Sequence, residues 1–159
     1  MVKEFGGSTV GTVGKMVVRP GAPNIIPGKV EMGVDIRDSN KGNMGKLKDE
    51  VITAINSLEG EYGIKTTIDI PFDYPPCPCS REVVDAIDQA ALAMRIKAKR
   101  MNSGAGHDAQ NIAKKVKTAM IFVPSVNGIS HSPLEWTNWE DVENGIKVLT
   151  QAIKTLSRV

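Results

Sequence analysis

The sequence is short of charge imbalance, of cysteine, of histidine and of long apolar runs, and each shortage removes a class of function. Its 159 residues carry 20 Lys and Arg against 18 Asp and Glu, a formal net charge of +2. Acids and bases are interspersed, and no basic stripe with aromatics between is present. The electrostatic footprint of a nucleic-acid binder is therefore missing. The longest apolar runs fall far short of the roughly 20 residues that span a bilayer, so no membrane span is expected. Residues 1–7 have no apolar h-region of a signal peptide, which makes cytoplasm the default. Only two cysteines occur, Cys77 and Cys79, in Pro-Pro-Cys-Pro-Cys-Ser. A disulfide between residues two apart closes a strained loop, and the stretch lacks partners for a metal. Two reduced thiols in an inter-domain connection are expected. There are no internal repeats and no low-complexity tracts.

What is present is the composition of a soluble globular protein, 41% hydrophobic and 24% charged. The length suits one ordinary domain or two small ones. Residues 9–19 are β-rich and end at Pro20. Residues 20–28 form a turn segment crowded with proline and glycine. Residues 29–38 alternate cleanly: Val30, Met32, Val34 and Ile36 take one face, while Glu31, Gly33, Asp35 and Arg37 take the other. Leu47, Val51, Ala54, Ile55 and Leu58 fall at helical spacing, with Gly60 and Gly63 closing the helix. Ile64, Thr66, Ile68 and Ile70 alternate as a third strand. The resulting ββαβ order reads like a ferredoxin-like unit without its first strand and helix. Four prolines within residues 71–78 mark a boundary. We place a partial lid-like domain at 1–72, a linker at 73–79 and a second segment at 80–159.

The second segment alternates helix and strand, so the fold class is mixed α/β (α+β). Ser80 can cap a helix whose core stripe is Val83, Val84, Ile87, Ala91 and Met94. A short strand is expected at 99–102 and a short helix at 108–115. Residues 119–123 read as a buried strand. Thr137 and Glu140 form a capping box for a final helix. Its stripe is Trp139, Val142, Ile146, Leu149, Ile153 and Leu156.

The two histidines, His107 and His131, both lie in Gly/Ser-rich connections that follow an expected strand, where functional loops gather in α/β sheets. Small neighbours let a substrate or metal approach the backbone. A hydrolytic zinc centre needs three protein ligands. No His-Glu-x-x-His occurs, so one histidine can supply one ligand and the rest must come from elsewhere. Ser130-His131-Ser132 is not a Gly-x-Ser-x-Gly elbow. A local Ser103/His107 arrangement with some acid is the remaining serine-hydrolase reading. Arg37, on the polar face of its strand, is either a surface ion pair with Asp35 or a fork for a substrate carboxylate.

Several blocks carry a family resemblance. Val13-Gly14-Lys15, the run from Pro20-Gly21-Ala22-Pro23-Asn24 through Gly28-Lys29-Val30-Glu31, and Asp35-Ile36-Arg37-Asp38 closely resemble the lid domain of the hydantoinase/carbamoylase amidohydrolases. These include the N-carbamoyl-L-amino-acid hydrolases and allantoate amidohydrolases. Ser103-Gly104-Ala105-Gly106-His107-Asp108-Ala109, Ile121-Phe122-Val123-Pro124-Ser125 and Gly128-Ile129-Ser130-His131-Ser132-Pro133 are similar to blocks that end that family's zinc-aminopeptidase-like catalytic domain. The match runs over nearly the whole chain, in order and with fitting spacing.

The resemblance implies hydrolysis of a linear amide or ureido C–N bond in a small carboxylate-bearing substrate, with two divalent ions, zinc or manganese, activating a bridging water. It makes His131 a metal ligand. It makes Asn24 and Arg37 substrate-binding residues, with Arg37 on the carboxylate, and has Gly104, Ala105 and His107 line the pocket. The lid closes over the catalytic domain and mediates a homodimer. Nothing in this sequence corresponds to the family's remaining metal ligands or its general-base glutamate. No catalytic residue is therefore expected within this chain, which is expected not to hold the two metals alone. It would be a fragment, a split-gene subunit or a remnant, partnered by copies of itself or by an upstream N-terminal half. A non-catalytic remnant serving dimerisation or ligand binding is the alternative.

Overall fold

The computed structural model describes residues 2–5 and 9–157. The chain divides into two compact units, Met1–Pro76 and Cys77–Val159. Unit 1 is built on an antiparallel hairpin of β1 (Val10–Arg19) and β2 (Lys29–Arg37), followed by helix α1 (Lys41–Tyr62). Unit 2 contains α2 (Arg81–Ala93), the short α3 (Ala109–Ile112) and α4 (Trp139–Leu156).

The hairpin register shows why β1 does not alternate as cleanly as β2. Val13 pairs with Val34 and Lys15 with Gly33, so the register slips at Gly14. Such a bulge inserts one residue and inverts the phase of the strand. Beyond it Met16 pairs with Met32 and Val18 with Val30. The slip thereby keeps Val13, Met16 and Val18 on the same face as Val30, Met32 and Val34. The opposite face carries the ion pairs Lys29–Glu31 at 2.6 Å and Arg37–Asp35 at 2.7 Å. The connecting loop closes with Gly28 N–H donating to the Arg19 carbonyl at 2.9 Å. Gly21 there has φ +73 and faces the Val18 carbonyl so closely that a Cβ would lie 2.9 Å from it.

Helix α1 begins where polar groups hand the chain over from the sheet. Thr9 Oγ1 donates to Asp38 Oδ2, and both residues are buried. Asp38 Oδ1 accepts the Asn40 N–H at 2.7 Å, and Asn40 Oδ1 accepts from Gly42 and Asn43 N–H at 2.8 and 3.2 Å. These bonds satisfy donors that a helix N-terminus otherwise leaves open. The helix ends at Gly63, left-handed at φ 66, whose N–H donates to Glu59 O. Gly60 therefore lies inside the helix rather than closing it. Leu47 is 1% exposed. It packs over Gly11, where a Cβ would lie 3.7 Å from Leu47 Cδ2.

The third strand expected at 64–70 is not formed among the described residues, whose sheet has two strands. An alternating pattern becomes a strand only where a neighbour supplies ladder partners. Here the Glu59 carboxylate takes the Thr66 N–H at 2.7 Å and its hydroxyl at 2.8 Å. These two donors hold the Glu59 carboxyl below its ordinary pKa. Residues 99–102 and 119–123 likewise lie outside any ladder. Phe122 is 51% and Val123 39% exposed, so that apolar run is not covered on both sides as expected.

Unit 2 is held by a seam of small residues. Ala86, Ala90 and Ala91 of α2 and Val148 and Ala152 of α4 are buried, with Ile87, Ile96 and Ile121 packed around them. Gly145 extends this close approach, since a Cβ there would lie 2.7 Å from Val123 Cγ1. The face of α4 that meets α2 is thus not the expected stripe. Trp139, Ile146, Leu149 and Ile153 remain 49–74% exposed. The caps differ too. Ser80 occupies the N-cap of α2 without a side-chain bond, and its N–H donates to Thr118 O at 2.8 Å. Asn138, not Thr137, is the N-cap of α4, and no side-chain cap bond forms there. Glu140 and Asp141 in the first turn and Lys154 in the last still complement the helix dipole.

The seam sets a stability expectation. Ala90→Leu should overpack it and cost about 1–3 kcal/mol. Leu92→Ala, at a side chain 79% exposed, should change stability by less than ~0.5 kcal/mol. Urea unfolding of both variants measures the difference.

Candidate functional site

The expected site residues fall on three local structures. Asn24 lies in the exposed loop between β1 and β2. Arg37 is the last residue of β2, paired in register with Val10. The two lie toward opposite ends of one hairpin. At about 3.3 Å per strand residue the length of β2 alone separates them by roughly 25 Å. The structure does not bring them together within one chain.

Arg37 is engaged but not enclosed. Its Nε and Nη2 both reach Asp35 Oδ2 at 2.7 Å, and the two side chains are 51% and 52% exposed. An ion pair this open contributes ~1 kcal/mol or less to stability. The polar face of β2 thus presents a guanidinium aligned by its own strand neighbour.

In unit 2, Gly104, Ala105 and His107 share one loop that leads into α3. Neither Gly104 nor Gly106 is required by its backbone, since neither has a positive φ. Nor does tight packing require them: a Cβ at Gly104 would meet nothing within 4 Å, and at Gly106 only Gln110 Oε1 at 3.8 Å. His107 is better fixed. Its carbonyl accepts the Gln110 N–H at 2.9 Å, and its ring meets Phe122 edge-on at 5.6 Å. Ser103 Oγ lies 2.8 Å from His107 Nε2.

His131 stands in a left-handed conformation at φ 56. That region is uncommon for a residue with a side chain and costs about 1–3 kcal/mol when other contacts impose it. The contacts are visible. Glu135 Oε2 accepts the His131 N–H at 2.8 Å, Leu134 N–H donates to Ser132 Oγ at 3.2 Å, and Glu135 N–H to Ser132 O at 2.9 Å. Glu135 was not singled out as a site residue from sequence, and Ser103 only as the partner of His107 in the serine-hydrolase reading. Each lies four positions from a histidine, a signal too common in loops to use without coordinates.

Among the described residues no group of three or more His, Cys, Asp or Glu side chains gathers as a metal site. The Glu135 carboxylate is spent on the backbone of the histidine it accompanies. Among the described residues the side chains do not gather a donor set for a pair of divalent ions. His131 offers one imidazole.

Fold and candidate groups together define a mixed α/β chain whose candidate binding groups sit on turns and strand ends. A model described as peptidase family M20/M25/M40 matches residues 2–155, and the chain belongs to that family of hydrolases acting on C–N bonds. It is 34% identical over 157 residues to the N-carbamoyl-L-amino-acid amidohydrolase of Paenarthrobacter aurescens, covering 99% of this chain and 38% of that one. It is 35% identical over 155 residues to the allantoate amidohydrolase of Escherichia coli K12, covering 98% and 38%. Among solved structures it matches a hydantoinase/carbamoylase family amidase from Burkholderia multivorans with a TM-score of 0.85 at 32% identity. That match covers 95% of this chain and 38% of the other. The chain thus spans about two-fifths of the length of the relatives it matches. Among the described residues no helix is long and apolar enough to cross a membrane.

The His131 turn yields a stability test. His131→Gly should leave stability unchanged or raise it by up to ~1 kcal/mol, because glycine adopts φ 56 freely. β-Branched His131→Val should cost roughly 1–2 kcal/mol. Thermal unfolding of the two variants separates strain from packing.

Proposed function

We propose that this polypeptide is part of a metal-dependent amidohydrolase that cleaves a linear amide or ureido C–N bond in a small carboxylate-bearing substrate of the N-carbamoyl amino acid or allantoate type. The observation that carries the reading is the strained turn at His131. Strain kept at a side chain that packs little is strain kept for what the side chain does. In a family of C–N hydrolases, an imidazole held out by its own backbone suits a metal ligand. It is one ligand of a centre that would use two divalent ions, zinc or manganese, and the remaining ligands would come from another polypeptide segment. Such ions supply Lewis acidity and a nucleophilic water. Arg37 would bind the substrate carboxylate with its fork of donors. Gly104, Ala105 and His107 would line the pocket.

Association is part of the proposal, and two observations support it. The chain exposes 12603 Å², whereas two separate compact bodies of half its mass would expose about 9,300 Å² together. The excess includes Val13, Met16, Val30, Met32 and Val34 along one hairpin face, each 43–59% exposed, the kind of patch that marks an interface. The second support is the separation of Asn24 from Arg37. If both touch one small substrate, they come from different copies of the chain. A homo-oligomer satisfies both; a complex with an N-terminal half covers exposed surface but satisfies the second only where it holds two copies of this chain.

Elemental analysis of the dialysed chain should find fewer than two metal ions per chain. Co-expression with the N-terminal half of a related enzyme should restore metal binding and ureidohydrolase activity. A lone chain that binds two ions, or a reconstituted pair that binds metal and hydrolyses nothing, overturns the reading. Light scattering should show the lone chain associated, and a monodisperse monomer counts against the interface. In the reconstituted enzyme, Arg37→Lys should lower kcat/KM by an amount equivalent to about 1.5–3 kcal/mol, because an ammonium loses the bidentate geometry.

A further inference from the structure

We infer that Ser103 is a positioning residue that sets the tautomer of His107, holding Nε2 as an acceptor and leaving Nδ1–H to donate to an acceptor oxygen of a bound ligand. The inference starts from the capacity of one hydroxyl, which has one proton to give and lone pairs to accept with. Ser103 Oγ already accepts the Ala105 N–H at 3.2 Å. Among the described residues the acceptor within reach of its proton is His107 Nε2, 2.8 Å away. A neutral imidazole carries one N–H and one lone pair, and the partner of one nitrogen decides the state of the other. With Nε2 accepting from Ser103, the ring proton resides on Nδ1.

The rest of the residue is already held. The His107 carbonyl takes the Gln110 N–H, and the ring edge meets Phe122. Nδ1 is the one polar atom of the side chain without a protein partner among the described residues. It belongs to the loop of Gly104 and Gly106, where an added Cβ would meet no atom closer than 3.8 Å. A fixed donor there selects a carbonyl or carboxylate oxygen and rejects an N–H group, which would face Nδ1–H donor to donor. This names the chemistry that the pocket reads at His107, and it rests on the proposed function only for the identity of that ligand.

The same contact in another setting would activate a serine nucleophile. Here the nearest backbone donor, Ala105 N–H, is turned onto Oγ itself rather than toward the place where an oxyanion would develop. The geometry therefore favours orientation of the imidazole over acyl transfer.

The test is the long-range ¹H–¹⁵N spectrum of the imidazoles in the intact, ligand-free chain, at a pH where they are neutral. Two histidines give four ring nitrogens, and His131→Gln assigns them. His107 should show a protonated, pyrrole-type Nδ1 and an unprotonated, pyridine-type Nε2. Ser103→Ala should invert the pattern toward the Nε2–H form that a free histidine side chain prefers, and Ser103→Thr should restore it. Unchanged His131 resonances show that a variant is folded, and Ser103→Gly replaces the alanine variant if that one is not. An Nε2–H His107 in the unsubstituted chain overturns the inference, as does a tautomer indifferent to loss of the hydroxyl. Because no ligand is present, failure of the reconstituted enzyme to hydrolyse ureido substrates would sink the proposed function and leave this result standing.

Discussion

Unit 2 depends on one contact, the alanine seam between α2 and α4. Alanine has almost no side chain to lift one helix off another, so Ala90 and Ala91 draw Val148 and Ala152 close, and Gly145 admits Val123 alongside. Such a seam buries little area per residue but tolerates no added volume. It also consumes the narrow face of α4 and turns the broad apolar stripe from Trp139 to Ile153 outward. The loop that carries His107 meets Phe122, which lies between Ile121, packed on this seam, and Val123, beside Gly145.

A second regularity concerns how the candidate groups are aimed. Each is oriented by a partner two to four residues away: Arg37 by Asp35, His107 by Ser103, His131 through its backbone by Glu135. Local partners pre-set a side chain without help from distant structure. Convergence is another matter. The hairpin separates Asn24 from Arg37, and no three metal-type ligands gather among the described residues. Direction is thus set at short range within the chain, whereas convergence is not.

Legibility varied by element for physical reasons. Strand β2 was plain because its alternation is uninterrupted, and α1 because Leu47, Val51, Ala54, Ile55 and Leu58 keep helical spacing up to the Gly63 stop. Strand β1 was recognised but not its face, because the bulge at Gly14 inverts the pattern halfway along. The expected strand at 64–70 has the right alternation and no ladder, since Glu59 occupies the Thr66 N–H and no neighbouring edge accepts the rest. The capping box at Thr137 failed because Ser, Thr and Asn compete for N-cap positions on equal terms, and the helix starts one residue later, after Asn138.

Taken alone, the sequence determined the family blocks, the polar face that carries Arg37, the two histidine loops and the mixed α/β class. These are properties of short-range order, written in residue types at fixed spacing. Only the tertiary structure decided which apolar stripe of α4 is buried, where the hairpin inverts its phase, that Asn24 and Arg37 stand at opposite ends of one hairpin, and which hydroxyl faces Nε2 of His107. Each depends on what lies across a gap in space. Amphipathic spacing says that a face must be covered but not by what, and a hydrogen bond is specified by two partners of which the local sequence names one.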